Sequence, residues 1–212
     1  MKRGIIAVLS AALLLTGCSQ EKGENTDKDK GGVITDSAAG ISFTVPDSWT
    51  VHSGDKVYSN MYKEYSDIYD SADGMKAAFE ADGLRYIAYG AANDDGALLT
   101  FSSQDLTLYD PNNDKIISLE DYAHTIHDGS VFMYQSSGMT INEGSFTETD
   151  IAGGGFLSHF EVLEPTEGEF ILGQSELLFQ RGDEVFSLLV CYSDEQSKQE
   201  ALGVFDSVKL TQ

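Results

Sequence analysis

The stretch Val185-Phe186-Ser187-Leu188-Leu189-Val190-Cys191-Tyr192 decides the fold of this chain. Both of its sets of alternate residues are mainly apolar, with Val185, Leu189 and Cys191 on one side and Phe186, Leu188, Val190 and Tyr192 on the other. Successive side chains of a β-strand point to opposite faces. A strand that is apolar on both faces is covered on both faces. We therefore predict that residues 185–192 form a central strand with a layer of structure on each side.

The sequence around this strand alternates strand and helix patterns. Apolar residues at every second position predict strands, and a spacing of three or four predicts helices. Strand patterns are clear at 41–46, 84–89, 97–101, 156–162, 170–180 and 185–192, and the polar stretch 141–149 is typical of an edge strand. Helical patterns cover 57–69, 73–81, 118–137 and 196–208. These patterns predict an α+β fold, with an antiparallel sheet of about six strands and helices on both faces.

Two short motifs give this pattern a family resemblance. The opening strand, Ile41-Ser42-Phe43-Thr44-Val45-Pro46-Asp47-Ser48-Trp49, runs into Pro-x-x-Trp, and the chain closes with a strand, a helix and Phe205-Asp206-Ser207-Val208. Together with the Gly153-Gly154-Gly155 entry to a central strand, this resembles the PsbP/Mog-like α/β/α sandwiches over residues 40–210. The resemblance implies binding or scaffolding rather than catalysis, and such motifs specify a fold more than a function.

The N-terminus carries a targeting signal. A positive start, Met1-Lys2-Arg3, precedes an apolar run from Ile5 to Leu15 that is too short to span a bilayer. Leu15-Thr16-Gly17-Cys18 then resembles the lipobox of bacterial lipoproteins, which implies cleavage before Cys18 and lipidation of its thiol. We predict a signal peptide at 1–17, a lipidated Cys18 with a flexible tether at 18–39, and a globular domain at 40–212. The chain is then anchored on the outer face of a bacterial cytoplasmic membrane.

Charge narrows the choice of partners. The formal net charge is −22, and it becomes −24 when Lys2 and Arg3 leave with the signal peptide. Such an acidic chain argues against nucleic acid, whose phosphates need Lys and Arg, and against electrostatic adhesion to anionic lipid. Divalent cations, basic envelope proteins or a small ligand remain compatible. If Cys18 is acylated, Cys191 has no cysteine left to pair with, and its apolar surroundings favour a buried residue.

One loop resembles an EF-hand calcium loop. It supplies oxygens at positions one, three and five, a backbone carbonyl at seven, a hydroxyl at nine and a carboxylate at twelve, namely Asp110, Asn112, Asp114, Ile116, Ser118 and Asp121. Lys115 stands where such loops place glycine, and Asp121 is shorter than the usual Glu. The alternative is a polar loop that leads into a helix, with Ser118 and Asp121 forming its capping box.

Histidines and tyrosines offer weaker candidate sites. His124 and His127 lie three apart on a predicted helix, where they would need a third ligand to hold zinc, and His159 lies on a strand. Four tyrosines at helical spacing either form an aromatic ligand face or pack a helix on the sheet: Tyr58, Tyr62, Tyr65 and Tyr69.

We rank three functions. The first is a non-catalytic, membrane-anchored binding or accessory domain, and the second is a calcium-binding lipoprotein that uses the Asp110–Asp121 loop. The third is an extracytoplasmic hydrolase, although the sequence contains no recognisable nucleophile motif.

Overall fold

The computed structural model describes residues 30–92, 96–108, 118–166 and 168–211. These residues form nine strands, four α-helices and one short 3-10 turn at Ile151–Gly153. In chain order the elements are β1 (Lys30–Asp36), β2 (Ile41–Ser53), α1 (Lys56–Tyr65), α2 (Ala72–Ala81), β3 (Leu84–Ala92), β4 (Ala97–Asp105), α3 (Leu119–Ser136), β5 (Thr140–Thr149), β6 (Gly155–Leu163), β7 (Phe170–Arg181), β8 (Glu184–Tyr192), α4 (Glu195–Asp206) and β9 (Lys209–Leu210).

Strand β8 is central, as predicted. All nine strands form one antiparallel sheet in the order β1-β2-β3-β4-β8-β7-β6-β5, and β9 pairs separately with β2. Phe186, Leu188 and Val190 on one side of β8 and Val185 on the other are almost completely buried. The sheet has more strands than the predicted six, because β1 and β9 carry too few apolar residues to show a period.

The pairing register shows which helices share a face. Leu84 and Val185 both lie opposite Gln104 of β4, and directly paired residues point to the same face. Leu84 packs under α1 and α2, and Val185 packs under α3. Helix α4 packs on the opposite face, against Leu188 and its neighbours. Helices therefore cover both faces, as the sequence predicts. We call these the three-helix face and the one-helix face.

The folded domain begins earlier than predicted. Residues 18–39 are predicted as a tether, but Lys30–Asp36 form β1 and pair with β2, with Val33 opposite Thr44 and Thr35 opposite Ser42. The prediction is therefore wrong for this part of the segment. The stretch Gly31-Gly32-Val33-Ile34 is too short to show a period, and its strand structure depends on pairing with β2.

Strand β2 continues past Pro46, although proline predicts its end there. The pairing with β1 is interrupted at this point, since Gly32 lies opposite Val45 while Lys30 lies opposite Thr50. Pro46, which has no N–H group to donate, lies in this unpaired gap, and proline is tolerated at such irregularities of an edge pairing. Beyond it, Trp49 is 1% exposed and its Nε1 donates a hydrogen bond to Glu200 Oε2 of α4 at 2.5 Å.

Candidate functional site

A groove of about 610 Å³ lies between β1, the start of β3 and the helices α1 and α2. Four consecutive β1 residues, 33–36, line it. Consecutive strand side chains point to opposite faces, so a groove that touches four in a row runs along the edge of the strand. The other edge of β1 is paired with β2. The remaining lining residues are Ser53, Gly54, Asp55, Tyr58, Lys76, Glu80, Arg85, Tyr86 and Ile87.

The main-chain groups that β1 turns toward the groove can be identified. Thr44 directs its N–H and C=O to the Ser207 hydroxyl at 2.8 and 3.4 Å, away from β1. Opposite residues in an antiparallel pair exchange both hydrogen bonds or neither. Val33, opposite Thr44, therefore points its N–H and C=O away from β2, and so does Thr35 two residues on.

The groove has an excess of negative charge. Its two basic side chains are already paired, Lys76 with Glu80 at 3.8 Å and Arg85 with Glu184 at 3.7 Å. Two other carboxylates line the groove, Asp36 and Asp55, and neither has an ion-pair partner among the residues that the structure describes. This balance suits a positively charged ligand better than an anion.

Tyr58 forms one wall of the groove and closes the edge of β3. Its hydroxyl accepts a hydrogen bond from the Tyr86 N–H at 3.0 Å. Its ring receives the Lys76 ammonium at 5.7 Å from the ring centre, a cation–π contact. Burial raises the pKa of Tyr58, so this hydroxyl stays neutral. The start of the β3 edge is thus occupied by Tyr58, whereas no described residue pairs with the outer edge of β1.

The tyrosines do not form an exposed ligand face. Tyr58 and Tyr65 are 6% and 4% exposed, and they pack with Met75 and Phe79 of α2 on the three-helix face. Tyr62 and Tyr69 are half-buried at the rim of the same cluster. The alternative interpretation, a helix packed on the sheet, describes this stripe. The prediction of an exposed ligand face is wrong for Tyr58 and Tyr65, because both side chains are buried, although Tyr58 also borders the groove.

A buried carboxyl lies on the three-helix face, where the sequence predicts no site. Glu176 of β7 is 6% exposed, and its Oε1 accepts a hydrogen bond from the Ser187 hydroxyl at 2.5 Å. Burial raises the pKa of Glu176 to about 7, although the Ser187 bond favours the charged form. The only sequence signal is a polar pair, Gln174 and Glu176, on one side of an interior strand. Perturbed carboxyls are common at functional sites, but they also occur in protein cores.

His127 and His159 each lie within hydrogen-bond distance of a serine. His127 Nδ1 lies 2.7 Å from Ser158 Oγ on the three-helix face, and His159 Nδ1 lies 3.0 Å from Ser175 Oγ on the one-helix face. His159 therefore cannot join His124 and His127. Within the described residues, no group of three or more His, Cys, Asp or Glu side chains is placed to hold a metal ion.

Neither serine–histidine pair resembles an accessible catalytic site. Ser158 and Ser175 are 2% and 1% exposed, and each lies inside a paired strand. A nucleophile must reach a substrate carbonyl, and these hydroxyls are covered. In this geometry the two pairs hold neighbouring elements together, and the hydrolase alternative gains no support from them.

The predicted calcium loop falls largely outside the described residues. The structure does not describe Asp110, Asn112, Asp114 and Ile116, nor does it describe Cys18 and the Leu15-Thr16-Gly17 that precedes it. Ser118 and Asp121 are described, and they form the predicted cap of α3. The Asp121 N–H donates to Ser118 Oγ at 3.1 Å, and the Ser118 hydroxyl donates to Asp121 Oδ2 at 2.8 Å. Calcium binding remains a prediction.

No helix in the described ranges is both long and apolar enough to cross a bilayer.

The side chain of Cys191, which the sequence predicts to be buried, is half-buried in the structure.

Comparisons with known proteins add evidence on the fold. No protein-family model matches this sequence, and no curated protein matches it. Among solved structures, cyanobacterial PsbP (CyanoP) from Synechocystis sp. PCC 6803 aligns with a TM-score of 0.50 at 8% identity, covering 90% of this chain and 98% of that one. At this identity the similarity supports a PsbP-like fold and no more.

Two further solved structures align less closely. LpqN of Mycobacterium tuberculosis, described as involved in cell envelope biogenesis, has a TM-score of 0.38 at 9% identity, with 87% of each chain covered. A protein from Bacteroides thetaiotaomicron has a TM-score of 0.35 at 11% identity, covering 87% of this chain and 50% of that one.

Proposed function

We propose that this chain is a lipoprotein on the outer face of a bacterial cytoplasmic membrane, and that its folded domain is a non-catalytic binding or accessory module. The observation that carries the proposal is Leu15-Thr16-Gly17-Cys18 after a short apolar run with a positive start. Cys18 becomes the first residue of the mature chain and carries the lipid. A lipoprotein anchor with more than one acyl chain holds stably, whereas a single chain binds only reversibly.

The folded domain supports the binding part of this proposal. Its serine–histidine pairs are buried between elements, whereas the groove beside β1 is open and has main-chain and carboxylate groups along its sides. Binding proteins need such a concave surface, and they do not need an activated nucleophile. The acidic body also reduces adhesion to anionic lipid, which leaves its surface available to a partner.

Metabolic labelling tests the anchor. The full chain is produced in a bacterial host that is fed radioactive palmitate, and label and membrane association are followed together. We expect the wild-type chain to be labelled and to sediment with membranes, and Cys18→Ala to lose the label and to keep its signal peptide. Cys191→Ala is the matched control, because it removes the other cysteine and leaves the lipobox intact. Label that persists in Cys18→Ala would overturn the proposal.

A further inference from the structure

We propose that the edge of β1 binds an extended, positively charged peptide segment of a partner protein, which adds a strand beside β1 in the groove. This inference rests on the proposed accessory function and names the class of partner. It starts from the sheet topology, because among the described residues β1 and β5 end the order of eight paired strands, and the further edge strand β9 has only two residues. An open edge is a template for pairing with another chain.

The two ends of the sheet differ in how well they can accept a strand. The pairing of β5 is interrupted between Glu143 and Ser145, with Gly144 at the irregularity, and Glu148 adds charge along that strand. Bulges and charges are the usual protection of an edge against pairing. Between Lys30 and Asp36, β1 carries no charged residue and pairs regularly from residue 32 onward. The edge of β1 is therefore the unprotected one.

The available hydrogen-bonding groups match the needs of an added strand. Val33 and Thr35 each point one N–H and one C=O away from β2, which gives two donors and two acceptors at alternate residues. This spacing is the one that an added strand uses. The Val33 side chain is 68% exposed, so an apolar side chain beside it would also be shielded from water.

The negative charge of the groove favours a basic peptide segment over an acidic one or a second copy of this chain. Asp36 and Asp55 line the groove without an ion-pair partner among the described residues, while Lys76 and Arg85 are already paired. A Lys or Arg side chain on the added strand would meet these carboxylates. A second copy of this chain fits less well, because two mature chains with a formal charge of −24 each repel one another.

The test uses the full-length lipoprotein in detergent micelles and a fluorescent peptide of about eight residues with alternating Lys and Val. One control peptide carries N-methyl groups on all its internal amides, which removes the donors from both edges of an added strand. Another replaces Lys with Glu. We expect saturable binding of the first peptide, and binding of the N-methylated peptide that is weaker by about tenfold or more, since several hydrogen bonds are lost. The Glu peptide should not bind.

Variants of the protein separate the edge from the rest of the groove. Thr35→Pro removes an N–H that points away from β2, so the β1–β2 hydrogen bonds stay intact and the fold is kept. We expect it to weaken binding about tenfold. Thr35→Val, the matched control, keeps the N–H and should bind like wild type. Asp55→Asn should weaken binding about two- to fivefold, the range of an exposed ion pair.

Several results would overturn the inference. These are equal binding of the N-methylated and unmodified peptides, wild-type affinity in Thr35→Pro, or no binding of the Lys peptide. A dimer that Thr35→Pro dissociates in light scattering would assign the edge to a second copy instead. Palmitate labelling is measured on the same preparations. Labelled protein that fails to bind peptide refutes the groove inference alone, whereas loss of Cys18-dependent labelling refutes the proposed function.

Discussion

Glu176→Gln should stabilise the protein at alkaline pH and have little effect at acidic pH. The carboxyl is 6% exposed, and burial raises its pKa from 4.5 to about 7. Between these two values the folded state keeps a proton that the unfolded state releases. The free energy of unfolding therefore contains a contribution that is fully present below pH 4.5 and is lost as the pH rises through 7. A pKa difference of this size corresponds to about 3 kcal/mol.

Glutamine removes this dependence and keeps the shape of the side chain. Its amide oxygen can still accept the hydrogen bond from Ser187. We expect Glu176→Gln and wild type to melt within about 2 °C of each other at pH 5. At pH 8 the variant should melt higher by roughly 6–12 °C, because 1 kcal/mol shifts the melting temperature by about 2–4 °C in a domain of this size.

The assay is a series of thermal melts by circular dichroism between pH 4.5 and 8.5. It uses the chain from residue 18 onward, with Cys18→Ala so that no lipid is attached. Other carboxyls titrate in both proteins, so only the difference between the two curves is interpreted. Ser187→Ala is a second probe. It removes a donor that favours the charged carboxylate, and should raise the pKa of Glu176 further. Parallel curves for wild type and Glu176→Gln across this range would refute the reasoning.

Three further perturbations have definite expected outcomes. If the Asp110 loop binds calcium, the ion at 100 times its dissociation constant adds about 2.7 kcal/mol to the free energy of unfolding. Thermal melts with calcium, magnesium or chelator should then show a calcium-specific rise in melting temperature that Asp110→Ala abolishes. A melting temperature that does not respond to calcium would mean that the loop only leads into helix α3. Trp49→Phe loses the hydrogen bond to Glu200 and should cost about 2–3 kcal/mol in urea unfolding, with Glu200→Gln as the milder control that keeps an acceptor. Ser118→Ala removes the cap of α3 and should cost about 1 kcal/mol in the same assay, and an unchanged midpoint would show that the cap is dispensable.

The fold was predictable wherever a single strand or helix carries its own pattern. Strand β8 is apolar on both sides, and this alone places it in the interior with layers on both faces. Helix α3 begins after Ser118, where the capping residues place it. In both cases the information is local, because burial and capping depend on residues within a few positions of each other.

The candidate site was less predictable because its parts come from distant segments. Strand β1 has only Val33 and Ile34 as apolar residues, so the sequence gives no reason to order it before β2 is placed beside it. The groove then joins β1 to residues that lie about 20 to 50 positions further along the chain. Glu176 is similar, since a carboxylate in a strand is read as exposed until the helices that cover it are known.

If Cys18 carries a lipid, the early start of β1 limits how far the domain can stand from a membrane. From Cys18 to Lys30 is twelve residue steps, and even a fully extended chain would span only about 43 Å at 3.6 Å per residue. The β1 edge of the anchored protein can then reach only partners within a shallow layer above the bilayer and not those in the rest of the envelope. Confinement of this kind gives millimolar effective concentrations for short connections. A weak pairing partner that is itself fixed in the same membrane would therefore be occupied, while a soluble peptide of equal affinity would need a millimolar concentration to reach the same occupancy.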